Sequence, residues 1–167
     1  MFIPFDQISQ DSKIWVFQSV DTFNDEQKEV ITNNLAAFTE EWKAHCQTLK
    51  ASFDIRYNHF VILAADESFN ATSGCSVDES VRVMTSLNSA CGLNFFDRNK
   101  IAFLENDHIF FCTPTYLKEN YKLNIWNEST LTFNNLVSIK KQLETSWIVP
   151  AGDTWLKRYI PKETVNI

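Results

Sequence analysis

A chain of 167 residues with 44% apolar and 14% aromatic content is long and apolar enough for one packed core, which argues against a disordered chain. Phe (14) and Trp (5) far outnumber Gly (3) and Pro (4), so long flexible linkers and low-complexity tails are not expected. A net charge of -6 argues against a protein whose main task is neutralising phosphates, and nucleic acid is not an expected partner.

The amino-terminal MFIPFDQISQDSK carries Pro4 and Asp6 where a secretory signal needs a cationic start and an unbroken apolar core. The longest apolar run, Phe60 to Ala65, is far shorter than the roughly 20 residues that span a bilayer. A cytoplasmic protein without a membrane span is expected. Lys13 to Gln18 (KIWVFQ) reads as a strand, and Asp25 to His45 places Ile31, Leu35, Phe38 and Trp42 on one helical stripe, capped by Asn24 or Thr22.

Phe53, Ile55 and Tyr57 alternate with polar residues as in an edge strand, and Asn58-His59 reads as the turn of a hairpin, with His59 a turn residue. Phe60 to Ala65 is apolar at every position, as in a strand covered on both faces. Ser76-Val77-Asp78-Glu79 has the form of a capping box, so a second helix is expected from Ser76 to Cys91, stopped by Gly92. Lys100 to Glu105 and His108 to Cys112 read as two strands around an Asn106-Asp107 turn.

This order predicts an α+β fold, a ferredoxin-like β-α-β-β-α-β sandwich with one added strand. The expectation is a single domain over 1–167, with a core at about 13–112 and a helical carboxyl-terminal extension at about 113–167 covering the sheet. That extension would hold a short helix from Thr113-Pro114 to Tyr121, another on Leu136, Ile139 and Leu143, and a last one pairing Trp155 with Tyr159. A second copy of the chain is the alternative cover, which keeps a homodimer open.

Cys46, Cys75, Cys91 and Cys112 form no Cys-x-x-Cys, and His45, His59 and His108 show no metal-ligand spacing, so no metal and no cofactor is expected. The segment Asp66 to Cys75 (DESFNATSGC) runs from a strand to a helix start and brings Cys75 beside unpaired helix amides, which can lower a thiol pKa. Asp66, Ser73, Gly74, Cys75 and Ser76 are therefore the candidate ligand-binding set, with Cys75 and His59 as candidate catalytic residues. Asp78 and Glu79 oppose a thiolate there, and capping explains the same serines. With Gly only at 74, 92 and 152, neither G-x-x-x-x-G-K-[ST] nor G-x-G-x-x-G exists, and G-x-S-x-G and H-E-x-x-H are absent too.

The stretches ASFDIRYNHFVILAADESFN, SGCSVDESV, NFFDRNKIAFL, FNNLV and WIVPAGDTWLKRY resemble a small protein family of Bacteroidetes-type bacteria whose members often carry the label "ABC transporter ATPase". The resemblance spans nearly the whole chain and brings no catalytic or binding residues with it. The ATPase activity the label implies is disfavoured, because the chain has no phosphate loop.

Two functions of different class are expected. One is a non-catalytic binding or adaptor domain that meets an unknown protein partner, or itself, through an exposed sheet face or through Trp155, Arg158 and Tyr159 with Trp147 and Lys157, although Trp155 and Tyr159 also suit the docking of a terminal helix. Up to residue 139 there are 10 Lys and Arg against 18 Asp and Glu, and from 140 onward 5 against 3, so the basic end reads first as a solvated helix face, with an acidic partner or the chain's own acidic body as the alternatives. The alternative is a cysteine-dependent enzyme or small-ligand-binding domain centred on the 66–79 loop.

Overall fold

The computed structural model describes residues 1–68 and 70–161. The fold is α+β, and the chain divides into two compact units, Met1–Asp97 with Leu136–Leu143, and Arg98–Asn135 with Glu144–Ile167. Each is described by itself.

In the first unit, β1 (Lys13–Gln18) leads to α1 (Asp25–Glu41) and to a small hairpin, β2 (Lys43–Ala44) and β3 (Gln47–Thr48). Then β4 (Lys50–Arg56), β5 (Phe60–Asp66) and α2 (Gly74–Cys91) follow. The sheet order is β1-β5-β4, all antiparallel, so β5 sits in the middle as its unbroken apolar run predicts. Val61 and Leu63 pack against Ile31 and Leu35 of α1 and Met84 and Leu87 of α2. Each such burial is worth about 1.5–3 kcal/mol. Phe60, Ile62 and Ala64 point to the other face and are also fully buried. On that side Phe5 lies 5.6 Å from the Arg56 guanidinium and 5.3 Å from the buried Lys140 ammonium, whose Nζ donates to the Ile8 carbonyl at 2.8 Å.

The ferredoxin-like expectation needs correction at its fourth strand. Ile101–Glu105 does not join this sheet. The outer edge of β1 is occupied by residues 138–140: Ile14 N–H donates to the Ser138 carbonyl, Lys140 N–H donates to the Ser12 carbonyl, and Lys13 is bridged to Ile139. The edge of β4 is covered in turn by the amino-terminal segment, where Phe2 bridges Ala51. At these points the edge amides of Ile14 and Ala51, which would otherwise be open to another strand, are engaged.

The second unit contains β6 (Ile101–Glu105), β7 (His108–Cys112), α3 (Leu117–Lys122), β8 (Leu131–Phe133) and β9 (Ile148–Pro150). Its antiparallel sheet has the order β7-β6-β8-β9, and Asn106-Asp107 makes the β6–β7 turn with φ of 48° and 63°. Phe103, Leu117, Trp126 and Leu156 form its core. The expectation of a purely helical carboxyl-terminal extension is thus corrected, since two strands of this sheet come from it. The helix expected on Leu136, Ile139 and Leu143 is also replaced. Its backbone is drawn into extended pairing with 10–14, Leu136 is 88% exposed, and only Gln142–Thr145 (α4) is helical.

Helix boundaries shift for local reasons. Asn24 caps α1 with a reciprocal bond to Gln27, as expected of Asn24, but α1 stops at Glu41. Trp42 leaves the helix and buries its ring against Phe38 and Trp15, and its Nε1 donates to the Ser76 carbonyl at 2.9 Å. In α2 the cap is Ser73 rather than Ser76. Ser76 N–H donates to Ser73 Oγ at 3.2 Å and Ser73 N–H to Ser76 Oγ at 2.7 Å, so the box closes one turn earlier and does not use Glu79. Gly92, with φ of 64°, ends α2 in the left-handed conformation.

These caps give a direct check. Ser73→Ala should lower stability by about 1 kcal/mol, and Ser76→Ala should do so by a similar amount. Glu79→Ala should leave a urea melt unchanged. A loss confined to Glu79→Ala would restore the later helix start.

Candidate functional site

The Asp66–Ser76 loop leaves the carboxyl end of β5, where Lys13 and Lys50 stand at the ends of the neighbouring strands. Its polar groups are largely spent on one another. Glu67 accepts from the Thr72 amide at 2.8 Å and from the Thr72 hydroxyl, and Lys13 Nζ lies 3.8 Å from the same carboxylate and 3.3 Å from Thr72 Oγ1. Asp66 accepts from Ser68 N–H at 3.0 Å, and Asn70 Nδ2 donates to the Ala44 carbonyl at 2.8 Å. Burial pushes the Glu67 carboxyl up, but the Thr72 bonds and the Lys13 charge outweigh it and hold the pKa below the usual value. The Ser68 amide does the same for Asp66.

Of the five candidate ligand residues, Ser73 and Ser76 are the two halves of the helix cap, and Ser76 is fully buried. Asp66 is occupied by Ser68. Gly74 and Cys75 are exposed, and nothing lies within 4 Å of a Cβ built on Gly74. Gly74 therefore serves neither a close approach nor a left-handed turn.

His59 is a turn residue, as expected, and closes the hairpin by donating its N–H to the Arg56 carbonyl at 3.1 Å. The left-handed positions are Tyr57 and Asn58, with φ of 54° and 53°, and His59 folds inward to 8% exposure. Its Nδ1 lies 3.0 Å from the Ser19 carbonyl and its Nε2 3.1 Å from Thr22 Oγ1. His59 immediately precedes β5, a seven-residue strand that spans about 20 Å at roughly 3.3 Å per residue, and Cys75 lies at the start of α2, beyond the loop that leaves the other end of that strand. The structure does not bring the two candidate catalytic residues together. Thr22, the partner His59 does have, was legible in the sequence only as a possible helix cap.

In the second unit, Trp155–Tyr159 forms a 3-10 turn in which Thr154 caps Leu156 and Leu156 is buried. Trp155 is 47% exposed. Arg158 places its guanidinium 5.1 Å from the indole centroid and donates Nε–H to the Trp155 carbonyl, while Tyr159 meets the indole edge-on at 5.9 Å. Tyr159 and Ile160 pack on the core from behind. Trp147 does not belong to this surface, since it is 1% exposed and bonded to Asn135. Lys157 also lines an open depression of about 710 Å³ with Glu128, Pro150, Gly152, Asp153 and Ile160. Gly152 lies close to the opposite wall, where a Cβ would be 3.1 Å from Glu128 Cβ and 3.2 Å from the Glu128 carbonyl oxygen, so a larger residue needs Glu128 to give by a few tenths of an ångström.

Among the described residues no three His, Cys, Asp or Glu side chains are grouped to hold a metal ion, and no helix is long and apolar enough to cross a membrane. Compared with known proteins, the chain matches no family model, no curated protein and no solved structure.

Two outcomes are expected at these residues. All four thiols are free, with Cys46 and Cys75 exposed, Cys91 half-buried and Cys112 buried; burial raises the pKa of the last two and lowers their thiolate fraction. Iodoacetamide at pH 8 should modify Cys46 and Cys75 first and Cys112 last, read by peptide mass. The depressed Asp66 and Glu67 pKa values make the unfolded chain bind protons first, so their stabilisation is present above the ordinary carboxylate value, about 4.3, and is lost below it. Glu67→Gln should flatten the acid side of the stability profile, and an unchanged profile would remove the carboxylate from loop closure.

Proposed function

We propose that the protein acts by association, as a cytoplasmic binding or adaptor protein whose contact surface is the Trp155, Arg158 and Tyr159 face. The observation that carries this reading is a half-exposed indole held in place by its own neighbours. Trp155 is kept out of the core while Arg158 and Tyr159 fix its ring, so little rotamer freedom is lost when a partner covers it. Trp, Tyr and Arg are the side chains that dominate binding energy at protein contacts. Arg158 uses Nε–H on the Trp155 carbonyl and has its terminal N–H groups left for a carboxylate. With Lys157 beside it, the face suits a partner protein that offers an apolar side chain next to an acidic one. Four free thiols suit a reducing compartment.

A cysteine-dependent enzyme on the 66–79 loop has only the exposure of Cys75 in its support, with His59 engaged at the far end of β5. An ATPase activity of the kind the family label implies is no part of the reading, because three scattered glycines build no phosphate cradle.

A photo-crosslinking amino acid placed at Lys157 should capture a discrete species in cells of the source organism, and Trp155→Ala with Arg158→Ala should abolish it. The same probe at Glu29 on α1 should capture nothing comparable. Loss of about 2 kcal/mol at one such anchor is roughly a thirtyfold weaker complex. An adduct of twice the chain mass would identify the partner as a second copy. Equal capture at both positions, or capture indifferent to Trp155, would end the proposal.

A further inference from the structure

Where the loop between β1 and α1 meets His59 of the β4–β5 turn lies a hydroxyl–imidazole–carbonyl chain that the binding surface does not use. Thr22 Oγ1 lies 3.1 Å from His59 Nε2, and His59 Nδ1 lies 3.0 Å from the Ser19 carbonyl oxygen. A carbonyl can only accept, so Nδ1 carries the ring proton, and in the neutral ring Nε2 presents its lone pair to the Thr22 hydroxyl. The imidazole is 8% exposed while Thr22 faces solvent. A buried base thus points at an accessible hydroxyl.

The arrangement is held by the backbone on both sides. Ser19 N–H donates to the His59 carbonyl at 2.8 Å and Phe23 N–H to the Asn58 carbonyl at 2.7 Å. Phe23 is buried and packs edge-on against Phe95 at 5.6 Å. Between these anchors the N–H groups of Val20, Asp21 and Thr22 make no hydrogen bond among the described residues. A hydroxyl within reach of a base that a third group orients is the arrangement of an activated nucleophile.

We propose that Thr22 is a covalent acyl-acceptor site activated by His59, and that its substrates are activated acyl donors, namely aryl esters and thioesters. In the step, the bond from Thr22 Oγ1 to the acyl carbon forms and the carbon–oxygen or carbon–sulfur bond to the leaving group breaks. The hydroxyl proton passes to His59 Nε2 and from there to the departing phenolate or thiolate. The imidazole ends neutral and no further reactant is consumed. The Ser19 carbonyl holds the transient imidazolium in place. This site lies in the first unit and does not rest on the binding role proposed for the Trp155 face.

The test is incubation of the full chain with p-nitrophenyl acetate, with p-nitrophenolate release followed by absorbance and the acetyl group located by peptide mass. Thr22 should be acetylated in the wild type. Thr22→Val should lose that label with its melt unchanged, and Thr22→Ser should keep it. His59→Gln should slow Thr22 labelling by about a hundredfold, the scale of general-base assistance. Acetyl groups on lysines alone, or Thr22 labelling that His59→Gln leaves at the wild-type rate, would overturn the proposal.

Discussion

The burial of β5 on both faces is the constraint on which the first unit depends. From Phe60 to Ala65 no side chain retains solvent exposure, and the backbone of the strand is paired on one side to β1 and on the other to β4. A slip of one residue would send Val61 and Leu63 away from α1 and α2 and present the opposite set instead. The register is therefore strongly specified, and the two ends of β5 become fixed points. Whatever precedes Phe60 or follows Asp66 is positioned by the strand.

Those two ends have different chemistry for a reason visible in their polar accounting. At the carboxyl end, Glu67, Thr72, Lys13 and Asp66 satisfy one another or the backbone, and Ser73 and Ser76 satisfy the first turn of α2. A loop rich in hydroxyls and carboxylates is in this case one that holds itself shut. At the amino end, the single imidazole of His59 is buried against a carbonyl, and its remaining nitrogen meets a hydroxyl at the surface. Fewer polar groups are present, but one of them is aimed outward through an exposed partner.

The second unit handles its aromatic excess differently. Trp126 and Trp147 are buried with their indole N–H groups bonded to Leu117 and Asn135, which is how a large amphipathic ring is accommodated in a core. Trp155 is held by a stacked guanidinium and a tyrosine edge while its outer face stays in water. Composition alone cannot separate these roles, since all three indoles lie among similar residues. The separation comes from which ring the 3-10 turn at Trp155–Tyr159 rotates outward.

Elements governed by near neighbours in the chain were legible from the sequence. The central strand, the Asn24 cap, the Asn106-Asp107 turn and the Gly92 stop follow from hydrophobic run, side-chain capping and left-handed tolerance, all of which act over a few residues. That β5 is covered on both faces and β4 only on one was also readable, because double-sided burial leaves a signature and one-sided burial another. What only the tertiary structure decided were choices between local alternatives of nearly equal energy. Ser73 and Ser76 can each begin a helix, and the burial of Ser76 under Trp42 selects the first. Leu136, Ile139 and Leu143 can form a helical stripe, and pairing of 138–140 with the edge of β1 forbids it and also displaces the fourth strand of a ferredoxin-like sheet. His59 closes its turn as the sequence suggests, but the inward placement of its ring against the Ser19 carbonyl was not legible, because a contact between residues 40 apart in the chain has no local signal to announce it.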